Sequence, residues 1–551
     1  MRYLLSLLAL GTTLPVCTAF AAQAPDAGQS IRDIESAPLS LPAPQRLDLT
    51  LPDSSNGQIA TGGPSLQVNG FRITGNQAIS SAELLSLLEE LQNRTLTVGE
   101  LQQAAQRLTE RYRQQGYPLA RAYLPAQEID QGIVEIAVLE GQYGEVQLDN
   151  RSRTSERTLR APLDALQSGQ IVESSSLERS LLLLSDTPGV EVKSTLKPGA
   201  SVGTSDLVVT TTSGPLLSGA IDVDNYGNRF TGQHRLGATV NLNSPLGIGD
   251  RLSLRAMASE EEQQYYRAAY QLPVGNHGTQ LGVAYSDMDY QLAKDFADLD
   301  ANGNARIASA YLLQPLVRSR NYSLYANLQF DDKRLKDDID LFSSKSDKRS
   351  RNWTAGLSGN SQDTFAGGGL TSFALSYTHG GLNIQEGAVE DLDAVTARTQ
   401  GSFNKWNPSL LRLQRLTEHL SLYANIQGQF SDSNLDSSEK LSLGGAYGVR
   451  AYPQGEASGD QGWLSTVELR YALTPAWQLS TFLDHGEVRL HKNNWADGDN
   501  HRSLSGAGIG ATWSAHGWRI NAVSAWKLGN DDPQSDVDRS PRVWAQLIRY
   551  F

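Results

Sequence analysis

The chain has 551 residues, 39% of them hydrophobic and 19% charged, with a mean hydropathy of -0.37. Beyond the extreme N-terminus no apolar run reaches the about 18–20 residues that a helix needs to cross a bilayer, which excludes a helical membrane protein but not a β-barrel. The formal net charge of -13 argues against nucleic acid as a partner, because phosphate binding requires a clustered basic surface, and 50 glycines beside 3 methionines describe a β-rich chain with many turns.

Residues 1–21 read as a secretory signal: Arg2 supplies the charged start, Tyr3 to Leu14 the apolar core, and Ala19-Phe20-Ala21 a small-x-small cleavage site. The expected mature chain starts near Ala22. Cys17, the only cysteine, lies inside this segment behind Val16, where a lipoprotein signal wants a small residue. Lipidation is therefore not expected, and the mature chain has no thiol for a disulfide, a zinc-thiolate site or a cysteine nucleophile. Residues 22–64 are rich in Pro, Ser, Ala, Gln and Gly, with prolines at 38, 42, 44 and 52 that forbid a long helix. One short helix fits at 29–37, capped by Ser30, with Ile31 and Ile34 on one face. The alternative is a disordered linker throughout.

From residue 65 the spacing predicts a strand at 66–74, amphipathic helices at 81–91 and 98–115, and strands at 120–125 and 133–140. Leu84, Leu87, Leu88 and Leu91 keep helical spacing in the first helix, and Leu101, Ala104, Ala105, Leu108 and Tyr112 in the second. A second unit repeats the βααββ order at 144–149, 156–165, 175–184, 190–197 and 206–212. The two units are taken as residues 65–142 and 143–214.

Residues 215–551 show no helical period. Leu420, Leu422, Ala424, Ile426 and Phe430 fall on one strand face and Ser421, Tyr423, Asn425, Gln427 and Gln429 on the other, and Leu252, Leu254, Ala256 and Ala258 alternate with Arg251, Ser253 and Arg255. A soluble sandwich also alternates. The preceding signal, the length and the terminal Phe551 favour a transmembrane barrel, and at about 21 residues per strand and connection the region holds roughly 16 antiparallel strands. All nine tryptophans lie between Trp353 and Trp544, which suits interfacial girdles.

Several motifs, in order, carry a resemblance. They are Tyr112-Arg113-Gln114-Gln115-Gly116-Tyr117, Ala120-Arg121-Ala122-Tyr123-Leu124-Pro125 and Gln127, Ile129, Gly132, Glu140-Gly141 in the first unit. Asp186-Thr187-Pro188-Gly189-Val190, Pro198-Gly199 and Gly203-Thr204-Ser205-Asp206-Leu207 stand in the second, and Asp224-Asn225-Tyr226-Gly227 with Thr231-Gly232 and Arg235 follow. Gly444-Gly445, Gly448-Val449-Arg450-Ala451-Tyr452, Gly455-Glu456 and Gly459-Asp460 come next, and then Phe482-Leu483-Asp484-His485-Gly486. The chain resembles the outer-membrane translocators of two-partner secretion, the transporter half of a type V system.

The resemblance implies two periplasmic POTRA domains before the barrel, with Asp224 to Arg235 leading into its first strand. It further implies a lumenal loop motif at Val449, Arg450, Ala451 and Tyr452, and a barrel-wall motif at Phe482, Asp484 and Gly486 that receives the loop arginine. Ala451 stands where the family has glycine, so a left-handed backbone there would be strained. Arg450 and Asp484 either gate the pore or form an ordinary lumenal salt bridge. Helix 29–37 is expected as a pore plug and Phe551 as the signal that the barrel assembly machinery reads. The implied protein is monomeric, sits in outer-membrane lipid and secretes one large β-helical exoprotein, captured unfolded at POTRA sheet edges without nucleotide hydrolysis.

Two other features are set aside. Asp298-Leu299-Asp300-Ala301-Asn302-Gly303 begins like a calcium loop, but Ser309 holds the twelfth position, so an exposed turn-rich loop is expected. The acidic runs Glu260-Glu261-Glu262 and Asp337-Asp338-Ile339-Asp340 read as solvated loops or hairpin ends. No HExxH, GxSxG or P-loop occurs, so no catalytic centre, metal or cofactor is expected. The nearest rival is an outer-membrane assembly factor of the same superfamily, and a diffusion porin and an enzyme are more distant ones.

Overall fold

The computed structural model describes residues 24–35, 39–40, 48–50, 64–529 and 531–551. The expected signal and cleavage site, Cys17 and most of the proline-rich segment lie outside them. Two α+β units precede a closed barrel of sixteen strands, from Leu217–Asp224 to Arg542–Tyr550, each antiparallel to its neighbours.

In the first unit the helix Val98–Gln114 starts in a capping box: Thr97 takes the Glu100 amide and Glu100 takes the Thr97 amide. Leu101, Ala104, Ala105, Leu108 and Tyr112 face the sheet and are buried, as their spacing requires. Glu140 accepts from the Tyr112 hydroxyl at 2.7 Å and from the amides of Gln77 and Ala78 at 2.6 and 2.7 Å. That ties the end of the helix to the turn after the first strands.

The expected strand 66–74 is two strands, Ser65–Val68 and Gly70–Thr74, in different sheets. Ser65–Val68 pairs with Arg94–Thr97, which has too few residues to show a period. The expected helix 81–91 is an α-helix, Ser81–Ser86, followed by a 3-10 turn, Glu89–Leu91, and the change of pitch leaves Leu87 exposed.

The second unit follows the expected order, with strands Gln142–Arg151, Val190–Pro198 and Thr204–Ser213 and the long helix Ser174–Ser185. It rests on the near turns of the barrel. The Arg318 guanidinium grips Asp186 at 2.7 and 2.8 Å, and the Ser155 amide donates to the Gly247 carbonyl at 2.7 Å.

Alternation along the barrel strands places Leu254, Val283, Ile426, Phe430, Leu483 and Ile509 outside, half exposed, and Arg255, Asp222 and Gln429 inside. An apolar exterior with a polar lumen is the arrangement that lets a barrel sit in hydrocarbon. Ala220 to Asp224 pair with Tyr550 to Gln546 to close the ring, and Gly219 and Phe551 exchange two backbone hydrogen bonds at 3.0 and 3.1 Å. Arg549 faces outward, but close to the near rim, where it donates to the His516 carbonyl and lies over the Trp518 ring.

Four expectations about the barrel are corrected. Trp353, Trp406, Trp477, Trp518 and Trp526 are exposed outside, but Trp544 is 4% exposed and points into the lumen. Asp224 to Arg235 form the far end and first turn of the first barrel strand and not the approach to it. Asp298 to Gly303 are only half a loop, since Asp300 is left-handed and the strand Ala301–Arg318 begins immediately after it. Asp337 is not a solvated hairpin end, because it accepts from the Tyr290 hydroxyl and from the amide of Ala27, both at 2.7 Å.

Candidate functional site: the lumenal loop and the inserted helix

The connection after Leu420–Ser431, residues 432–460, folds back into the barrel. Gly445 and Gly455, with φ of +116° and +85°, supply turns that residues with a Cβ resist. The Val449 amide donates to the Leu443 carbonyl at 2.7 Å, and Val449, Ala451 and Tyr452 are all buried. This folding turns the Arg450 side chain toward the wall strand Trp477–Arg489, on which period two sends Phe482, Asp484 and Gly486 inward and Leu483 outward.

Asp484 takes four hydrogen bonds: from the Arg450 amide at 3.1 Å, from Arg450 Nε and Nη2 at 2.8 Å each, and from the Thr466 hydroxyl at 2.9 Å. The guanidinium carbon stands 3.3 Å from the centre of the Phe482 ring, and the Asp484 side chain is fully buried. A Cβ on Gly486 would come 2.8 Å from Leu443 of the loop. The two motifs therefore meet, residue by residue.

The structure adds two partners that the motifs do not name. Glu468 receives Arg450 Nη1 at 3.2 Å, and the Trp544 indole donates to the Arg450 carbonyl at 2.7 Å. Alternation places both on lumenal faces. Which of the many lumenal side chains meets a loop roughly twenty or ninety residues away has no sequence signal.

The strain expected at Ala451 does not arise. Among the residues with left-handed backbone Ala457 appears and Ala451 does not. Its methyl group lies against Gly506, where a Cβ would approach it to 2.7 Å.

A family model for the haemolysin secretion/activation proteins ShlB/FhaC/HecB matches residues 203–513, which hold both motifs, and one for the ShlB-type POTRA domain matches residues 66–141. The chain belongs to the ShlB/FhaC/HecB family. It is 30% identical to the heme/hemopexin transporter protein HuxB of Haemophilus influenzae over 486 residues, 86% of this chain and 85% of that one. It is 24% identical to the outer membrane transporter CdiB of Dickeya dadantii, over 85% and 83% of the two chains. The solved structure of CdiB from Escherichia coli shares the fold with a TM-score of 0.70 at 22% identity, covering 96% of each chain. This is an outer-membrane transporter of two-partner secretion, with its POTRA domains in the periplasm, and not the assembly factor.

The transporter has a second lumenal insertion. The helix Ala27–Glu35 starts two residues before the expected Gln29, capped by Asp26, which accepts from the Gln29 amide at 2.8 Å, while Ser30 is buried inside the helix. Ala27 and Ile31 pack on Met257, Tyr265, Met288 and Leu335 of the inner wall. Glu35 accepts from Ser286 at 2.7 Å and Tyr265 at 2.9 Å. Arg32 donates to the Ser437 carbonyl at 2.8 Å, and the Ser437 hydroxyl donates to Asp26 at 2.7 Å, so helix and lumenal loop hold each other.

Two residues on from that contact, Glu439 is buried between Lys333 at 2.6 Å and Lys405 at 2.7 Å. Burial alone would raise its carboxyl, but the two lysines outweigh burial and hold it at about 2. Among the described residues no group of three or more His, Cys, Asp and Glu is placed to hold a metal.

Proposed function

We propose that this transporter is a gated export channel, closed at rest by the inserted helix and by the loop that Arg450 pins to the wall. The observation that carries this reading is the mutual grip of Arg32, Asp26 and Ser437, which makes the two insertions one body across the pore. A hydrated barrel left without them would leak solutes. The Arg450–Asp484 contact holds the loop in the position from which it guides a passing chain, and Val449, Ala451, Tyr452, Phe482 and Gly486 shape its seat. The test is single-channel conductance in planar bilayers: Arg32→Glu raises it if the two insertions close the pore together, and leaves it unchanged if the helix is a bystander.

The passenger is a large β-helical exoprotein, taken up unfolded by addition to a POTRA sheet edge, where main-chain hydrogen bonds give affinity. Folding outside makes back-sliding costly, so no nucleotide is consumed. Because a relative is named a heme/hemopexin transporter, a passenger that engages heme or hemopexin is the first candidate. The transporter works as a monomer, and the barrel assembly machinery recognises it through Phe551. Residues 1–21 direct it to the periplasm, 22–64 form the plug and linker, 65–142 and 143–214 the two POTRA domains, and 215–551 the barrel.

A further inference from the structure

The outer wall of the barrel carries a row of arginines set against one another. Arg306 of the strand Ala301–Arg318 stands directly opposite Arg334 of Tyr322–Ile339, and Arg334 directly opposite Arg349 of Ser344–Asp363. Their sequence neighbours Ile307, Leu335 and Ser350 are buried on the lumenal side, so period two turns all three arginines outward. Arg351 joins them on the same face. Adjacent strands lie about 4.8 Å apart, and like charges directly opposite one another repel.

The acids beside this row are too few to cancel it. Arg306 pairs with Asp287 at 3.2 Å, while Arg349 and Arg351 share Asp332, the second at 3.7 Å. Among the described residues Arg334 forms no salt bridge and no side-chain hydrogen bond, and Asp332 attracts it only from a distance. Four guanidiniums therefore face two carboxylates. In the lumen Arg255 and Arg267 also stand opposite each other, but each has its own acid, Asp222 at 3.3 Å and Glu35 at 3.2 Å. Farther from the membrane the outer wall carries Lys336 and Lys345 against Asp289, Asp338 and Asp347, so the positive excess is confined to the arginine level.

That level has a defined depth. Two residues toward the middle of the wall from Arg351, Trp353 stands opposite Phe330 with ring centres 4.9 Å apart, and Trp353 is 52% exposed to the outside. Exposed aromatic rings girdle a barrel where hydrocarbon ends and headgroups begin. The arginines thus lie among headgroups, at the rim away from the POTRA domains and so in the leaflet that faces out of the cell.

We propose that Arg306, Arg334 and Arg349 bind the phosphates of the glycolipid that forms this outer leaflet, with Phe330 and Trp353 against its acyl chains. A guanidinium fork matches a phosphate, and the lipid brings the negative charge that the wall lacks. The row spans about 10 Å across three strands, which suits a headgroup with two separated phosphates better than one with a single phosphate. A soluble protein does not reach a site at the depth of the aromatic girdle. The same strand segments seat the inserted helix on their other face, where Ala305, Ile307 and Leu335 share a core with Ala27 and Ile31, so a lipid clamped across the row braces that seat from outside.

The test uses the full transporter in detergent micelles and a fluorescent lipid A, the bisphosphorylated disaccharide core of such a glycolipid. The triple variant Arg306→Gln, Arg334→Gln, Arg349→Gln is expected to bind it at least tenfold more weakly than the parent, and Arg549→Gln, an outward arginine at the opposite rim, as tightly as the parent. Lipid A stripped of both phosphates, and phosphatidylglycerol with its one phosphate, should each bind the parent at least tenfold more weakly than lipid A. Equal binding of lipid A to parent and triple variant would overturn the site. Phosphatidylglycerol binding as tightly as lipid A would overturn the glycolipid as its occupant.

Arg334→Gln alone keeps the proposal open to refutation if the triple variant fails to fold. It breaks no ion pair and relieves repulsion on two sides, so without lipid its barrel should resist heat at least as well as the parent, and added lipid A should raise the unfolding temperature of the parent more than that of the variant. A less heat-resistant variant without lipid, or an equal rise in both, would show that Arg334 serves the fold and not the lipid.

Discussion

The Trp544 indole N–H donates to the carbonyl oxygen of Arg450 at 2.7 Å, so the last barrel strand holds the backbone of the residue whose side chain is held by Asp484. Arg450 is thus fixed from two walls of the lumen. Trp544→Phe keeps the apolar volume but leaves the carbonyl unpaired, at a cost of about 1–3 kcal/mol. The expected outcome is faster proteolysis within residues 443–460 and a partial loss of secretion, smaller than that of Arg450→Ala, with the barrel still heat-modifiable.

Glu439 gives the closed state a defined pH dependence. Its folded carboxyl sits at about 2 against an ordinary 4.5, so its contribution is complete above about pH 4.5 and is lost as the pH falls from there toward 2. Through Glu439, conductance in planar bilayers is expected to rise as the pH falls below about 4.5 toward 2. Glu439→Gln leaves Lys333 and Lys405 without their carboxylate and should raise conductance at neutral pH.

Closure of the ring makes a separate prediction. Deleting Phe551 removes two backbone bonds to Gly219, each worth about 1 kcal/mol, at the seam between the first and last strands. Less heat-modifiable barrel should reach the outer membrane. Normal levels would show that neither the seam nor recognition of the terminus depends on Phe551.

Capture by edge addition predicts that the passenger's N-terminal region binds the periplasmic units when unfolded and much less once folded, because its own strands are then paired. Equal binding of both forms would count against it.

The parts of this molecule that repeat were readable from its sequence. Period two along Leu420–Ser431 separates Ile426 and Phe430 from Gln427 and Gln429, and the structure turns the first pair to the lipid and the second to the lumen. The meeting of Arg450 and Asp484 was readable through the family resemblance. Trp544 and Glu468 were not, since alternation says which face a side chain takes and not which loop lands on it. Two short pieces were also hidden: the linker strand Leu49–Thr50 and the strand Arg94–Thr97 are too short to show a period, and only their partners make them strands. At the inserted helix, Ser30 and Asp26 are both competent caps, and packing of Ala27 and Ile31 on the wall decides for Asp26.

The most direct test of the account is a double-mutant cycle on Arg450 and Asp484, scored as passenger in the medium against folded barrel in the membrane. Removing the Arg450 side chain leaves the buried Asp484 with only the Thr466 hydroxyl and the residue-450 amide, a loss of about 3–5 kcal/mol from the loop's seat, and removing the Asp484 carboxylate leaves Arg450 only its longer ion pair with Glu468. Arg450→Ala and Asp484→Ala should each nearly abolish secretion with the barrel intact, and the double variant should be no worse than either alone, because one contact serves both. Arg450→Asp with Asp484→Arg should recover only part of the activity, since a forked guanidinium and a carboxylate do not exchange places without moving Thr466 and Phe482. Additive losses, or an Arg450→Ala transporter that still secretes, would contradict the account and reduce Arg450 to one polar side chain among many in a wet pore.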